Sequence, residues 1–315
     1  MAKIKKIIGR QVFDSRGNPT VEAELITDTG STLAISPSGA STGTHEAYEL
    51  RDKDNKDYLG KSVFKAIENV NGPIFKSLKN IDTEDQSKID KILKDLDGTE
   101  QKKKLGANAI LAVSIAAIKN AALERKISLF KHIGGNSVNK LPIPMMNIIN
   151  GGAHANNSLE IQEFMIRPDG AKNFKECMQM SFLVIQNLKK DLESKKISTS
   201  VGDEGGFAPS LGSDEEAIEV IINSISASGF KPGKDVSICL DVAANELKSP
   251  KNIQYFLDLV KKYPIKSIED PFSEDDWDNW KNLTQKIKAQ IVGDDLFVTN
   301  KKRLEKGIKE KSANT

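Results

Sequence analysis

The sequence predicts an α/β chain in two parts: an N-terminal α+β domain over residues 1–138, then a TIM-like (β/α) barrel domain over 139–315 that is incomplete. Three observations lead there. A strand-rich start gives way to long helical periodicity. After Pro142, strand-like and helix-like runs alternate at about 25 to 30 residues per unit, the rhythm of parallel βα repeats. Residues 140–315 number 176 and hold five recognisable strands, whereas a barrel has eight strands and takes about 200 to 250 residues. The last three βα units are therefore expected to be missing, with a sheet edge left open.

Each element has its own signal. Ile4–Val12, Thr20–Ile26 and Ser31–Ile35 read as strands, and Asp28-Thr29-Gly30 turns the chain between the last two, giving an antiparallel meander. Helical spacing follows in Val63–Leu78 and in Asn108–Lys126, where Leu111, Ile115, Ile118 and Ala122 recur. Gly134 and Gly135 end this part. Ile143–Ile149 and Leu159–Ile166 are the first barrel strands. Two helices come next, one marked by Phe174, Met178, Phe182, Ile185, Leu188 and Leu192, the other opened by the capping box Ser213 and Glu216. Val236–Leu240, Ile265–Ile268 and Ile291–Val292 then alternate with helices from Pro250, from Glu274 and near Lys301, with Ser249 and Ser273 as expected N-caps.

Composition narrows the function. At 38% apolar and 29% charged, the chain falls outside the disordered, collagen-like and membrane-embedded classes. Forty-six basic against 44 acidic residues leave a formal charge of +2, so no global field draws nucleic acid. Forty of the cations are lysines, which lack the bidentate geometry that reads bases. The charge-free run Leu105–Ile118 has the length of a core helix, so membrane insertion is not expected. Cys177 and Cys239 read as buried thiols, Trp277 and Trp280 as core packing. The start, MAKIKKIIG, has no apolar stretch of signal-peptide length, which makes the cytoplasm the expected compartment. Neither a phosphate-cradling GxxxxGK[ST] nor a Cys/His zinc spacing occurs.

Three acids stand where three consecutive barrel strands end: Asp241 in ICLD, Glu269 in SIED and Asp294 in VGDD. Barrel enzymes place their chemistry at that end. A single acid there could equally cap the next helix or face solvent. Three converging carboxylates repel unless a cation lies between them, and oxygen-only ligation suits a hard divalent ion. Glu204 sits in VGDEGGFAP, whose glycines let a loop present a carboxylate, although a solvated glycine-rich turn would look the same. Were Glu163 of LEIQEF close to it, like-charge repulsion would raise one of the two pKa values and keep a proton available for acid catalysis. His154, in NGGAHANN, has the glycine-rich setting of a ligand-side loop. PSGASTGTHEAYELRD, residues 37–52, reads as a ligand-closing loop or as an ordinary linker.

DSRGNPT (14–20), SGASTG (38–43), GANAIL (106–111), NGGAHA, QEFMI, VGDEGGFAP, SIEDPF and GDDLFVTN together resemble the enolase family, the phosphopyruvate hydratases, across essentially the whole chain. The resemblance implies an N-terminal α+β domain capping a ββαα(βα)₆ barrel, of which the first five strands are present. It implies interconversion of 2-phosphoglycerate and phosphoenolpyruvate plus water, with two Mg²⁺ ions. Asp241, Glu269 and Asp294 would hold the first ion and Ser41 would help to hold the second. Glu204 would be the general acid, assisted by Glu163, and His154, Glu163, Glu269 and Asp294 would meet substrate. A homodimer, or an octamer, is implied as well, and family members also occur at the cell surface or secreted.

The sequence departs from the family at its C-terminal end. The proton-abstracting lysine, a later histidine, the phosphate-gripping SHRSGE-like loop and a second active-site lysine all belong to segments with no counterpart here. The chain is thus expected to be a truncated enolase that does not turn over by itself, since loss of a general base alone costs about 10² to 10⁴ in rate. Leu247–Asn252 also reads as shorter than the family's excursion at that place. The alternatives are a non-catalytic enolase-like protein used for binding or scaffolding, and a superfamily lyase or racemase acting on another carboxylate.

Overall fold

Alternation of buried and exposed side chains builds the first sheet. Strands β1 (Lys6–Phe13), β2 (Pro19–Ile26) and β3 (Ser31–Ile35) pair antiparallel in that order. Val21, Ala23 and Leu25 of β2 are fully buried on one face, while Glu22 and Glu24 on the other bind Arg10 of β1, as period-two side-chain direction requires. The computed structural model describes residues 2–39, 42–53, 57–202 and 204–315. It groups into two units, Met1–Gly39 with Ala47–Lys140, and Ala40–Glu46 with Leu141–Thr315.

In the first unit the predicted helix Val63–Leu78 is interrupted: α1 (Phe64–Asn69) and α2 (Phe75–Leu78) are joined by a π-helical turn, Val70–Ile74. Pro73 lies inside that turn and has no N–H to give an α-helical ladder. Asn71 Oδ1 accepts from Gly9 N at 2.8 Å, tying the turn to β1. Two helices were not expected from periodicity, α3 (Gln86–Asp97) and α5 (Leu129–Gly134). The first carried readable signals, with Asp85 as N-cap, Ile89 and Leu93 buried four apart, and Gly98 ending it at φ 70°. The second, six residues long, is too short to show a period.

Helix α4 (Ala107–Glu124) is the core of this unit. It packs on β2 and β3, and Thr32 Oγ1 donates to Ala116 O at 2.8 Å. Among the described residues it alone is long and apolar enough to cross a membrane by length and composition, and over half of that stretch is buried. Gly106 starts it at φ 92°, where an added Cβ would come within 2.6 Å of Leu50 Cβ.

The second unit contains strands β4 (Met146–Asn150), β5 (Glu163–Arg167), β6 (Ser237–Asp241), β7 (Ile265–Glu269) and β8 (Gln290–Val292) in one sheet of that order. Helices α6 (Phe174–Ser194) and α7 (Asp214–Ala227) precede β6, and α8 (Ile253–Lys262), α9 (Trp277–Lys286) and α10 (Lys301–Glu310) follow β6, β7 and β8. This is ββαα(βα)₃. The sheet is not parallel throughout, as the βα rhythm alone suggests. β5 runs antiparallel to both neighbours, the 151–162 connection from β4 having no crossover helix, and the parallel pairings are β6 with β7 and β7 with β8. The first two strands begin later than expected, since Leu159 and Ile161 are buried in the irregular connection before β5.

Caps also differ. Asn252, not Ser249, caps α8 by accepting from Tyr255 N, and Asp276, not Ser273, caps α9, so Pro250 lies outside its helix. Ser213 accepts from Glu216 N at 3.1 Å as predicted, but the Glu216 carboxylate returns to Gly212 N. Beyond β8, the chain's own last residues partly cover the edge: Asn314 N and Thr315 N donate to Ile291 O, and Gly293 N donates to Thr315 O. Cys177 and Cys239 are both free and buried.

Trp280 of α9 is fully buried and donates its indole N–H to Ser273 O at 3.0 Å. Trp277 instead lies only partly buried under Arg303 and Lys306, 5.1 and 3.9 Å from its ring centre. Trp280→Ala is expected to destabilise the second unit by about 3 to 5 kcal/mol, with Trp277→Ala costing much less; urea unfolding of the two variants tests the difference.

Candidate active site

Strand register brings the acids together. Asn150 pairs with Glu163, Glu163 with Asp241, Asp241 with Glu269, and Glu269 with Val292. Directly opposed residues project from the same face of a sheet, so one transverse row carries three carboxylates in succession. The reversal of β5 matters here: it puts the first residue of that strand, Glu163, level with the last residues of β6 and β7.

Asp241, Glu269 and Asp270 form one group whose carboxylate oxygens lie within 4.8 Å of one another, and Asp270, Asp294 and Asp295 form a second. The predicted trio of Asp241, Glu269 and Asp294 is thus linked through Asp270. That residue accepts from Asp294 N at 3.2 Å and from Asp295 N at 2.9 Å, fastening the turn after β8 to the end of β7. Asp241 is held by Gln162 Nε2 at 3.1 Å and Ala243 N at 3.0 Å.

Burial and mutual repulsion control these groups. Asp241 is pushed up to about 7, first by burial and then by the charge of Glu163. Burial, with Asp241, Asp270 and Asp294 nearby, pushes Glu269 up to about 9. Asp270 rises to about 8 by burial, against the hydrogen bond from Asp295 N. Asp295 rises to about 6, by burial and the charge of Asp294. Glu269 and Asp270, and in part Asp241, keep protons near neutrality unless a cation replaces them. The donor set is all oxygen, and the buried Gln162 Oε1 beside it has no hydrogen-bond partner among the described residues. Both features fit a hard divalent ion.

His154, Glu163 and Glu204 form a third group, again within 4.8 Å, so the closeness of Glu163 and Glu204 that acid catalysis needs is present. His154 Nδ1 lies 3.3 Å from Glu163 Oε1, an ion pair when the ring is protonated. The histidine pKa is raised, chiefly by Glu163 and against burial, with further charge from Glu204 and Asp241. Gly202 packs so tightly that a Cβ would come within 2.6 Å of His154 O and Asn150 Nδ2, which fixes the loop carrying Glu204 against the one carrying His154. Ser41 lies outside the described residues.

Sequence reasoning missed Asp270, Asp295 and Gln162. The first two are the second acids of SIED and VGDD, and Gln162 directly precedes Glu163. Adjacent acids at a strand end were the available signal, whereas nothing in the pattern marked the glutamine. Two cavities, of about 710 and 530 Å³, are lined by none of these acids.

Asp241, Glu269 and Asp270 have folded pKa values above their unfolded ones, so from about pH 4 to about pH 9 the folded chain binds more protons than the unfolded chain. Stability then falls as pH rises through that window. In chelator, the urea midpoint is expected to drop between pH 6 and pH 9, and Asp241→Asn to flatten the drop by on the order of 1 to 2 kcal/mol. A midpoint that does not change with pH would contradict this.

Known proteins agree with the two-part reading. Residues 4–133 match the family model described as enolase, N-terminal domain. Residues 138–259 and 247–315 match the one described as enolase, C-terminal TIM barrel domain. The enolase of Pelagibacter ubique (strain HTCC1062) is 55% identical over 330 aligned positions, covering the whole of this chain and 79% of that protein. With 330 positions aligned to 315 residues, at least 15 positions of that relative have no counterpart here, and the barrel match is itself split where 247–252 reads as short. Both domains matched in order, and an enolase identical at more than half of the aligned positions, show that the chain belongs to the enolase family.

Proposed function

We propose that the chain carries the metal side and the acid side of a lyase site that interconverts 2-phosphoglycerate and phosphoenolpyruvate plus water, a step of glycolysis and gluconeogenesis. The transverse row Glu163–Asp241–Glu269, continued by Asp270 and Asp294, is the observation that supports this most directly. Asp241, Glu269 and Asp294 would hold one Mg²⁺, and Ser41 would help to hold a second. When bound, Mg²⁺ supplies positive charge beside the substrate carboxylate while the neighbouring carbon loses its proton, charge that counts most in the transition state.

The chain's own residues do the rest. Glu204 delivers a proton to the departing hydroxyl. Glu163 orients it and, paired with His154, keeps that side of the pocket charged and hydrogen-bonding toward substrate. Glu269 and Asp294 face substrate from the metal side. Among the described residues no lysine forms an ion pair with Asp241, Glu269, Asp270, Asp294, Asp295, Glu163 or Glu204. The second reading is an enolase-like protein that binds metal and substrate without turning it over. In the cell we propose a cytoplasmic homodimer.

Titration calorimetry with Mg²⁺ is expected to show binding that releases protons and strengthens from pH 6 to pH 8, because bound metal displaces protons from Asp241 and its neighbours. Glu269→Gln should weaken it by more than about a hundredfold, since changes merely behind a ligand already cost 10 to 100-fold. Incubated with 2-phosphoglycerate and Mg²⁺, the chain is expected to form no phosphoenolpyruvate. Turnover would overturn the expectation of an inactive chain; absence of metal binding would overturn the site.

A further inference from the structure

Residues 42–46 belong by their contacts to the barrel unit, although β3 and α1 on either side of them belong to the other. Two latches hold this strap. Thr44 N donates to both carboxylate oxygens of Glu274, at 2.9 and 3.1 Å. Asn245 Nδ2 donates to the same carboxylate at 3.2 Å and to Asp295 Oδ2 at 3.1 Å. Next along the strap, His45 Nε2 lies 2.9 and 3.0 Å from the Asp275 oxygens, and Arg303 of α10 reaches Asp275 at 3.1 Å while also donating to Glu274 O. Consecutive residues before α9 therefore grip consecutive residues of the strap.

Fit between the two surfaces is tight. Gly43 leaves no room for a side chain: a Cβ would come within 2.9 Å of Glu274 Oε2, 3.0 Å of Val298 Cγ1 and 3.2 Å of Asp295 Oδ1. Glu274 is 6% exposed. A buried carboxylate that loses its donors pays the full desolvation of the charge, so lifting the strap would strand Glu274 with Asn245 beside Asp295. The docked state is stabilised from the barrel side.

We propose that Glu274 is a positioning residue, whose buried carboxylate clasps residues 43–46 onto the rim formed by the turns after β7 and β8. The clasp stands on geometry alone. Its consequence for the reaction, fixing the segment that follows Ser41, rests on the lyase reading above.

Hydrogen exchange of the whole 315-residue chain, read in chelator by mass spectrometry, tests the clasp without metal or substrate, so failure of the lyase reading would leave the result standing. In Glu274→Gln and in Gly43→Ala, amides of residues 42–47 are expected to exchange at least about tenfold faster, with β6, β7 and α9 unchanged. The second variant alters only the strap and keeps the test valid if the first disturbs the barrel. Unchanged exchange at 42–47 in both variants would overturn the proposal. So would loss of protection spread through β7 and α9 in Gly43→Ala, which would make the strap part of the barrel's packing.

Discussion

Carboxylate repulsion in a buried row is the constraint around which the second unit is arranged. Glu163, Asp241 and Glu269 stand side by side because strand register leaves them no other place, and the burial of Asp241 with the partial burial of the other two reduces the water that would screen them. Such a row is unfavourable unless protons or a cation neutralise it. Its surroundings read as a set of responses: amide donors on Asp241, backbone N–H groups on Asp270, and the ring of His154 beside Glu163. A hard cation held among these oxygens would relieve that repulsion, which would add to its binding free energy.

Much of the fold was legible because it rests on periodicity and length. The meander, α4, the two helices between β5 and β6 and the three later βα units all carried two-residue or helical spacing. The features that escaped were set by local competition. Ser249 and Ser273 were reasonable caps, yet Asn252 and Asp276 lie closer to the first turn that packs, and each accepts the N–H three residues on. The π-helical turn at Val70–Ile74 could be suspected from Pro73 but not distinguished from a kink. The all-parallel sheet failed for a different reason. Periodicity reports which face of a strand is buried and says nothing of its direction, so the reversal of β5 was not read from the sequence.

At the site, the strand-end acids could be read from sequence because a barrel places every strand end on one rim. The coupling among them could not. Asp270 binds the two amides after Gly293 from a neighbouring strand, 24 and 25 residues away in sequence, and neither spacing nor composition reports such a link. Likewise, Glu204 and Glu163 are 41 residues apart and meet because β5 is reversed and the loop after α6 returns over the end of β4, where Phe207 N donates to Ile148 O.

Backbone conformation ties these observations together. Ala243, Asp270, Val298 and Thr299 have φ of 44°, 41°, 44° and 51°; the first two lie within two residues of the ends of β6 and β7, the last two in the segment between β8 and α10. None is glycine, and for the β-branched pair this region is disfavoured more strongly. Each such residue costs of order 1 to 3 kcal/mol, so the surrounding hydrogen bonds must hold it. They do: Val242 N and Ala244 N bind the carbonyls of Glu269 and Asp270, and Asp270 N binds Val292 O, extending the sheet ladder past the last strand residues. After β6 and β7 the rim is therefore built by over-determined turns that end each strand abruptly and leave its final carboxylate, Asp241 or Glu269, facing its neighbours. Relaxing any one turn with glycine would ease the backbone but would release the side chain next to it, which is why strain and charge are found at the same end of the barrel.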